Sequence, residues 1–451
     1  MAILSSSEAD AILKKVLSYS KADELEASLQ GGRTAYTRFG VNSVNTSGDT
    51  ENVSLVVNAH FGQRSGVATT NTLDDQGLER VVRAAEEIAR LRPEDPEQQP
   101  FLAKQQYATI DAAFDDPTYR ADAQTRARAI ASTIDPAKAK GLIAAGIFDH
   151  VGGFTSRANT NGNFAYFKNT QSSYTTTVRS ADELGKTGSG WATAISHRIG
   201  DINAKAISER AIAKAELSRN PVQLEPGNYT VILEPNAVGD LIAFMAGFFG
   251  ARQADEGRSF LSKKGGGNRV GEKLFGDNVN IYTDPMMQNA PGSPYDGQGL
   301  PTRKLEYVRN GVVQNLNYSR YWAKKMGKEP TPGASNLIIE GGKSSIDEMI
   351  KSTERGILVT RFWYIRLVDP QSVLLTGLTR DGTFLIEQGR LKYAIKNFRF
   401  NETPVKVLNN IDAMSPSERI TGSERFGAGS AVLAPALKVR DFAFTSGSDA
   451  V

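Results

Sequence analysis

Chemistry in a protein needs side chains that bind a metal, carry a proton or attack a bond, and this chain offers few in useful arrangements. It holds 3 histidines and no cysteine in 451 residues. His60, His150 and His197 each fall on or beside a segment with strand patterning. A zinc hydrolase usually brings two imidazoles to one ion from a single helical face, with a carboxylate to complete the set. No two histidines here share a helix, so a metal site would have to be gathered by the fold from all three. Three separate histidines, each satisfied by its own neighbours, is the simpler reading. The lack of cysteine removes thiolate ligands, disulfides and thiol nucleophiles. No Gly-x-Ser-x-Gly elbow occurs. Ser18-Tyr19-Ser20-Lys21 fits Ser-x-x-Lys, but so short a pattern arises by chance and sits in a peripheral helix. In "SKKGGGNRVG" (262–271) the lysines precede the glycines and no Gly-Lys-Ser/Thr follows. That is not a phosphate loop. It reads as a Gly-rich linker, with a lid over a groove as the functional alternative.

The stretch "EPNAVGDLIAFMAGFFGARQADEG" (234–257) is the most unusual in the chain. It reads as a strand exit followed by a helix over 237–250 that is apolar on almost every side. Arg252, Asp255 and Glu256 follow it. Such a cluster is ordinarily a solvated helix end, and otherwise the wall of a cleft.

The elements around it alternate. Ala9, Ile12, Leu13, Val16 and Leu17 have helical spacing behind a Ser5/Glu8 capping box. "VSLVVNAHFGQRSGVATT" (53–70) predicts a hairpin turning at Gly62. A helix follows, capped at Asn71 or Thr72, striped by Leu78, Val81, Val82, Ala85 and Ile88, and stopped by Pro93. Residues 94–116 read as a connecting segment and 117–134 as another helix. Asn161-Gly162 marks a hairpin, and a helix spans 202–218. Asn220-Pro221 then breaks the chain, which places a boundary between an N-terminal domain, 1–220, and a C-terminal domain, 221–451. The second half is richer in strands, with hairpin turns expected at Asn310-Gly311 and Asp381-Gly382. The fold class is α+β: an N-terminal α/β domain with antiparallel hairpins, then a β-rich domain.

Composition narrows the partners. Lys plus Arg is 53 against 50 for Asp plus Glu, giving a net charge of +3 with the signs interspersed. This is no nucleic-acid footprint. No run reaches the roughly 18 apolar residues of a membrane span. The N-terminal stretch lacks the apolar core of a signal peptide. A cytoplasmic location is the expectation.

Four stretches in order resemble the TldD/PmbA family, on its PmbA (TldE) branch. They are "NVSLVVNAHFGQRSGVATTNTLDDQGLERVVRAAEEIAR", "SPYDGQGLPTRKLEYVRNGVVQNLNYSRYWAKKMG", "GILVTRFWYIRLVDPQSVLLTGLTRDGTFLIEQGRLKYAIKNFRF" and "APALKVRDFAF". The resemblance implies a two-domain fold that dimerises and encloses a channel. TldD members resemble zinc peptidases whose helix carries His-Glu, three residues, then His, with a further ligand, typically Cys, near the C-terminus. When Pro235, Gly239 and Gly247 are matched to the family's Pro and Gly positions, those three positions fall on Ala243, Phe244 and Phe248. A methyl and two phenyl rings cannot bind zinc or activate water. The resemblance therefore implies a non-catalytic subunit of a TldD–TldE zinc metallopeptidase acting on unfolded or leader peptides. The chain itself would carry no cofactor, and zinc would sit in a TldD-type partner. Arg252, Asp255, Glu256 and Tyr318 are the candidates for a peptide channel. The alternative is a stand-alone homodimeric peptide- or protein-binding module, the regulatory role behind the family's old gyrase-modulator label.

Overall fold

The computed structural model describes residues 3–182, 186–421 and 431–448. Its first sheet is antiparallel, in the order β3-β2-β1-β4-β5-β6. The strands are β1 (Glu24–Gly40), β2 (Ser43–Phe61), β3 (Arg64–Thr70), β4 (Leu142–Asn159), β5 (Phe164–Ser180) and β6 (Ser189–Ser196). Five helices serve it: α1 (Ser6–Ser18), α2 (Asp75–Leu91), α3 (Asp116–Arg120), α4 (Ala123–Ala139) and α5 (Ala204–Leu217). They lie on one face. Successive side chains of a strand point to opposite faces. Leu25, Ala27 and Leu29 of β1 are thus buried with Leu13, Leu78 and Val82 of α1 and α2. Further along the same face, Phe39 and Phe148 pack with Ile130, Ile134 and Ile207 of α4 and α5. The other face turns toward the second half of the chain.

Several local expectations hold. Ser5 and Glu8 form the capping box. Gly62 and Gly162 take the left-handed φ of their turns, at 56° and 80°. Others need correction. The cap of α2 is Asp74, whose carboxylate accepts from the Gly77 N–H, not Asn71 or Thr72. The helix expected over 117–134 is two, because Asp122 caps a fresh start, and the second runs on to Ala139. The central strand β1 went unanticipated, since Gly31-Gly32 and its polar residues interrupt the apolar alternation.

The second half contributes β7 (Gly227–Leu233), β8 (Ile281–Thr283), β9 (Leu305–Arg309), β10 (Val312–Val313), β11 (Asn336–Ile339), β12 (Arg355–Asp369) and β13 (Leu374–Glu387). It continues with β14 (Arg390–Ala394), β15 (Asn397–Glu402), β16 (Ile411–Met414), β17 (Glu418–Ile420), β18 (Ala431–Ala434) and β19 (Leu437–Ser448). Helices α6 (Pro235–Ala246), α7 (Ala251–Asp255) and α8 (Arg320–Met326) lie between them. One sheet runs β10-β9-β8-β11-β18-β17. The other runs β12-β7-β19-β15-β13-β14, and β12 also pairs β13, so five strands close on themselves. Phe362, Phe398, Phe400, Phe442 and Phe444 form a ring-on-ring cluster at 4.5–5.8 Å between the contacting centroids. The molecule is therefore a mixed α+β structure with a β-rich second half.

Asn310-Gly311 is a hairpin turn as expected. Asp381-Gly382 is not. It lies inside β13, where Arg380 pairs Arg361 and Thr383 pairs Val359, leaving two residues opposite Thr360. This is a bulge. The left-handed φ values that this residue pair favours are present, at 54° and 124°, but the Asp381 carboxylate goes inward to Arg361 and Ser189. Among the described residues no helix is long and apolar enough to cross a membrane.

Candidate functional site

Strand β7 delivers the chain to Glu234, the N-cap of α6, and Pro235 occupies the first turn, where its missing N–H costs nothing. Every residue from Ala237 to Met245 is buried. The helix packs against β12, β17 and β18. At Gly239 an added Cβ would stand 1.8 Å from Cδ1 of Ile420, so the β17 side chain rests directly on the helix backbone. Ala243 and Phe244 are 8% and 4% exposed. The helix does not continue to 250. It ends at Ala246, Gly247 caps it, and the Phe248 N–H donates to Met245 O at 2.9 Å. Glycine weakens a helix interior, and here the chain turns at once to run Gly250 beside Asn317. Phe248 therefore lies beyond the helix and is only half-buried.

These residues do not fit a zinc ion. The three positions offer a methyl and two rings, and among the described residues no group of three or more His, Cys, Asp or Glu side chains gathers within reach of one ion.

The three histidines are separate. His60 stacks on Phe101 at 4.0 Å, with Gln98 Nε2 at 2.8 Å from its own Nε2. Burial lowers its pKa although Glu24 stands 3.5 Å away. His150 lies on the helix-covered face of the sheet, under α4, where Arg126 Nη1 donates to its Nε2 at 2.9 Å. Burial, then Arg126 and Arg33, bring its pKa down to about 4. His197 follows β6, and burial with Arg419 and Arg198 holds it below the usual range.

Arg252, Asp255, Glu256 and Tyr318 lie close together, and their polar atoms are spoken for. Arg252 makes a two-pronged bond to Glu97 at 2.7 and 2.9 Å and a third to Glu256 at 3.0 Å, over the Trp322 ring. Hydrogen bonds to these two carboxylates raise its pKa. Asp255 accepts from Asn268 at 2.6 Å and from the Trp322 indole at 2.7 Å. The buried Tyr318 hydroxyl accepts from Asn268 and from Lys328. These contacts fasten things together. Asn268 ties down the Gly-rich 262–271 loop, and Glu97 belongs to the connecting segment. That segment also offers Pro100 O to Arg320 at 2.6 Å and the Tyr107 hydroxyl to Gly299 O at 2.7 Å. It is a strap joining the halves. A second joint surrounds Lys214 of α5, which donates to both oxygens of Glu234 (2.6 and 2.7 Å) and to Thr360 at 2.9 Å. Burial lowers the Lys214 pKa despite this partner.

A depression with room for a ligand lies elsewhere, on the face of the first sheet that carries no helix. Gly32 pairs Gly153 there, and a Cβ on Gly32 would meet Gly152 O at 2.5 Å. The glycines leave a depression of about 290 Å³ lined by Gln30, Gly32, Gly153, Thr155 and Asn169. It shares Gln30, Thr155 and Asn169 with a neighbouring cavity of about 440 Å³ reaching Tyr295. A third, of about 530 Å³, continues from Tyr295 past Asn317 to Ser335. Sequence reasoning missed this groove. Its only trace was the paired Gly31-Gly32 and Gly152-Gly153.

Comparison with known proteins agrees with this architecture. Residues 25–89 match the model of PmbA/TldA metallopeptidase domain 1, and residues 226–446 match the PmbA/TldA metallopeptidase C-terminal domain. Metalloprotease PmbA of Escherichia coli O157:H7 is 23% identical over 430 residues, covering 92% of this chain and 91% of that one. The metalloprotease TldD homolog of Haemophilus influenzae is 24% identical over 262 residues, 53% of each chain. The crystal structure of TldE from Thermococcus kodakarensis superposes with a TM-score of 0.86 at 17% identity, over 97% of this chain and 100% of that one. With both domain models matched in order and a relative aligned along nearly its whole length, this chain belongs to the PmbA/TldD metallopeptidase family.

Proposed function

We propose that this chain is the non-catalytic, TldE/PmbA-type subunit of a TldD–TldE zinc metallopeptidase, acting on unfolded peptides or leader peptides in the cytoplasm. The observation that carries the reading is α6. Ala243 and Phe244 are sealed into the apolar core at positions where the family resemblance places a metal ligand and a general base. Peptide hydrolysis needs a way to generate a nucleophile and to stabilise an oxyanion. A methyl and a ring supply neither. Zinc and the general base would come from the TldD-type partner, and this chain would complete the enclosure and hold extended peptide. The glycine-floored groove of the first sheet is where we place that peptide.

The test is a fluorogenic unstructured peptide, assayed with this chain alone, with its cognate TldD-type protein, and with a zinc chelator. The expected result is no cleavage by the chain alone and chelator-sensitive cleavage by the mixture. Elemental analysis of chain purified without chelator should find no stoichiometric zinc. Chelator-insensitive cleavage that co-elutes with this chain through two orthogonal columns would overturn the assignment, and one tightly held zinc per chain would do the same.

A further inference from the structure

Strand β17 is the edge of its sheet and carries Arg419 next to Ile420. Alternation sends the two side chains to opposite faces. Ile420 presses on α6, while Arg419 reaches across to the helix-free face of the first sheet. There Nη2 donates to Gln171 Oε1 at 3.3 Å and Nη1 stands 3.5 Å from His197 Nδ1. Both contacts are long. No carboxylate among the described residues lies within ion-pairing distance of Arg419, and its Nε has no hydrogen-bond partner among them. Asp201, the acid whose field reaches it, is engaged by the Ser196 hydroxyl at 2.7 Å. Burial brings the guanidinium down to about 10.

His197 adds a second unmatched donor. Arginine has no lone pair to offer, so Nδ1, the nitrogen facing Arg419, is the acceptor and the ring proton sits on Nε2. His197 is 4% exposed, and its Nε2 has no partner among the described residues. Two neighbouring side chains thus bring buried N–H groups, one cationic, without an acceptor. Leaving such groups unmet costs stability. Arg33, Arg252 and Arg361, by contrast, all have carboxylates, whereas the buried Arg126 has Thr37 and His150 and Arg157 also leaves its Nε unmet among the described residues.

We propose that Arg419, with His197 and Gln171, is a binding site for a carboxylate group of a peptide lying in the groove of the first sheet. A planar two-oxygen monoanion fits the Nε–Nη2 edge of one guanidinium. A phosphate dianion would need more charge than one arginine beside a neutral imidazole. Gln171 stands two residues along β5 from Asn169, on the same face, and Asn169 lines the groove. The site therefore continues the groove. The peptide clause rests on the proposed function; the carboxylate site does not.

Two measurements separate them. With only 3 histidines in the chain, ring-labelled histidine gives three sets of NMR signals, assignable by single His→Gln variants. N-acetylglycine should move the His197 signals saturably, N-acetylglycinamide should not, and Arg419→Gln should abolish the response. Arg419→Lys, which keeps the charge without the fork, should bind several-fold more weakly. An N-terminally labelled unstructured peptide is then compared as free acid, as C-terminal amide, and with its acidic side chains neutralised. The form lacking the recognised carboxylate should bind about 10–100-fold more weakly, and Arg419→Gln should erase the difference. Which form weakens tells a chain terminus from an acidic side chain. If N-acetylglycine binds but no peptide does, the site stands and the peptide-holding reading falls. If every peptide form binds equally and N-acetylglycine is silent, the site falls and that reading stands. Arg419→Gln should also melt at or above the wild-type temperature. A large drop would identify Arg419 as a structural tie and overturn the proposal.

Discussion

The two sides of β17 are built on opposite principles. On one side Ile420 meets Gly239 so closely that no methyl fits between strand and helix, and Ala243, Phe244 and Met245 are buried in the same helix. On the other side, one residue away, Arg419 and His197 present N–H groups with no acceptor among the described residues. Within one short strand, the face that family resemblance marks for chemistry is filled with carbon, and the opposite face keeps its polar groups unmatched. Filling gains packing energy and forecloses binding. Leaving donors unmatched costs stability and keeps a site ready for an anion. The position that family resemblance marks for chemistry and the position proposed here for binding need not coincide, even a residue apart.

The apolar side can be broken most severely at Phe244. Phe244→Ala removes a ring that is 4% exposed and should cost about 3–5 kcal/mol, read from denaturant midpoints. Phe248→Ala should cost less, about 1–2 kcal/mol, because a half-buried ring has already kept part of its surface in water. Equal losses would mean that the turn at Gly247 does not separate the two rings. A loss at Phe248 larger than at Phe244 would reverse the account of where the helix ends.

The polar interior answers to pH. All three histidines have lowered pKa values, each chiefly through burial, and His150 falls to about 4. In the unfolded chain they titrate near about 6.5. Between those values the unfolded state binds more protons than the folded one, so stability must fall as pH drops through that window. It is fully present above about 6.5. Urea midpoints at pH 7 and pH 5 should show the loss, and His150→Gln should flatten the slope. An unchanged slope in His150→Gln would mean that burial and Arg126 do not hold this ring neutral.

Much of the fold was legible because its signals are local. The Ser5/Glu8 box, the turns at Gly62, Gly162 and Asn310-Gly311, and the long strands Arg355–Asp369 and Leu437–Ser448 follow from residue type and period. Strand β1 was lost because glycines that shape a groove also erase the alternation that marks a strand. Asp381-Gly382 misled because left-handed φ serves bulges as well as turns. The candidate site proposed here was far less legible. Arg252 and its neighbours attracted attention as a charged cluster after an apolar helix, whereas Arg419 sits in "PSERITG" and looks ordinary. What separates them is the presence or absence of a distant carboxylate: Glu97 is 155 positions away from Arg252, and no spacing rule reaches that far.

That pair of arginines gives the smallest expected effect and the sharpest control. Arg252 and Arg419 are both cations of the second half that reach toward the first. Arg252 is matched by Glu97 and Glu256 and lies in partly exposed surroundings. Ion pairs of that kind contribute little, and salt screens them. Arg252→Ala should therefore lower the thermal midpoint least in this series, with the difference from wild type shrinking as ionic strength rises. Peptide affinity and the preference for a free carboxylate should not change, because a guanidinium that already has two acids has no fork to offer a third. Arg419→Gln should do the reverse, sparing or raising the midpoint and erasing the preference. If Arg252→Ala abolished carboxylate preference while Arg419→Gln kept it, a bound carboxylate would have to displace Glu97 from the strap. Binding would then open the joint between the halves, and the contrast between matched and unmatched arginines would be the wrong way to find this protein's site.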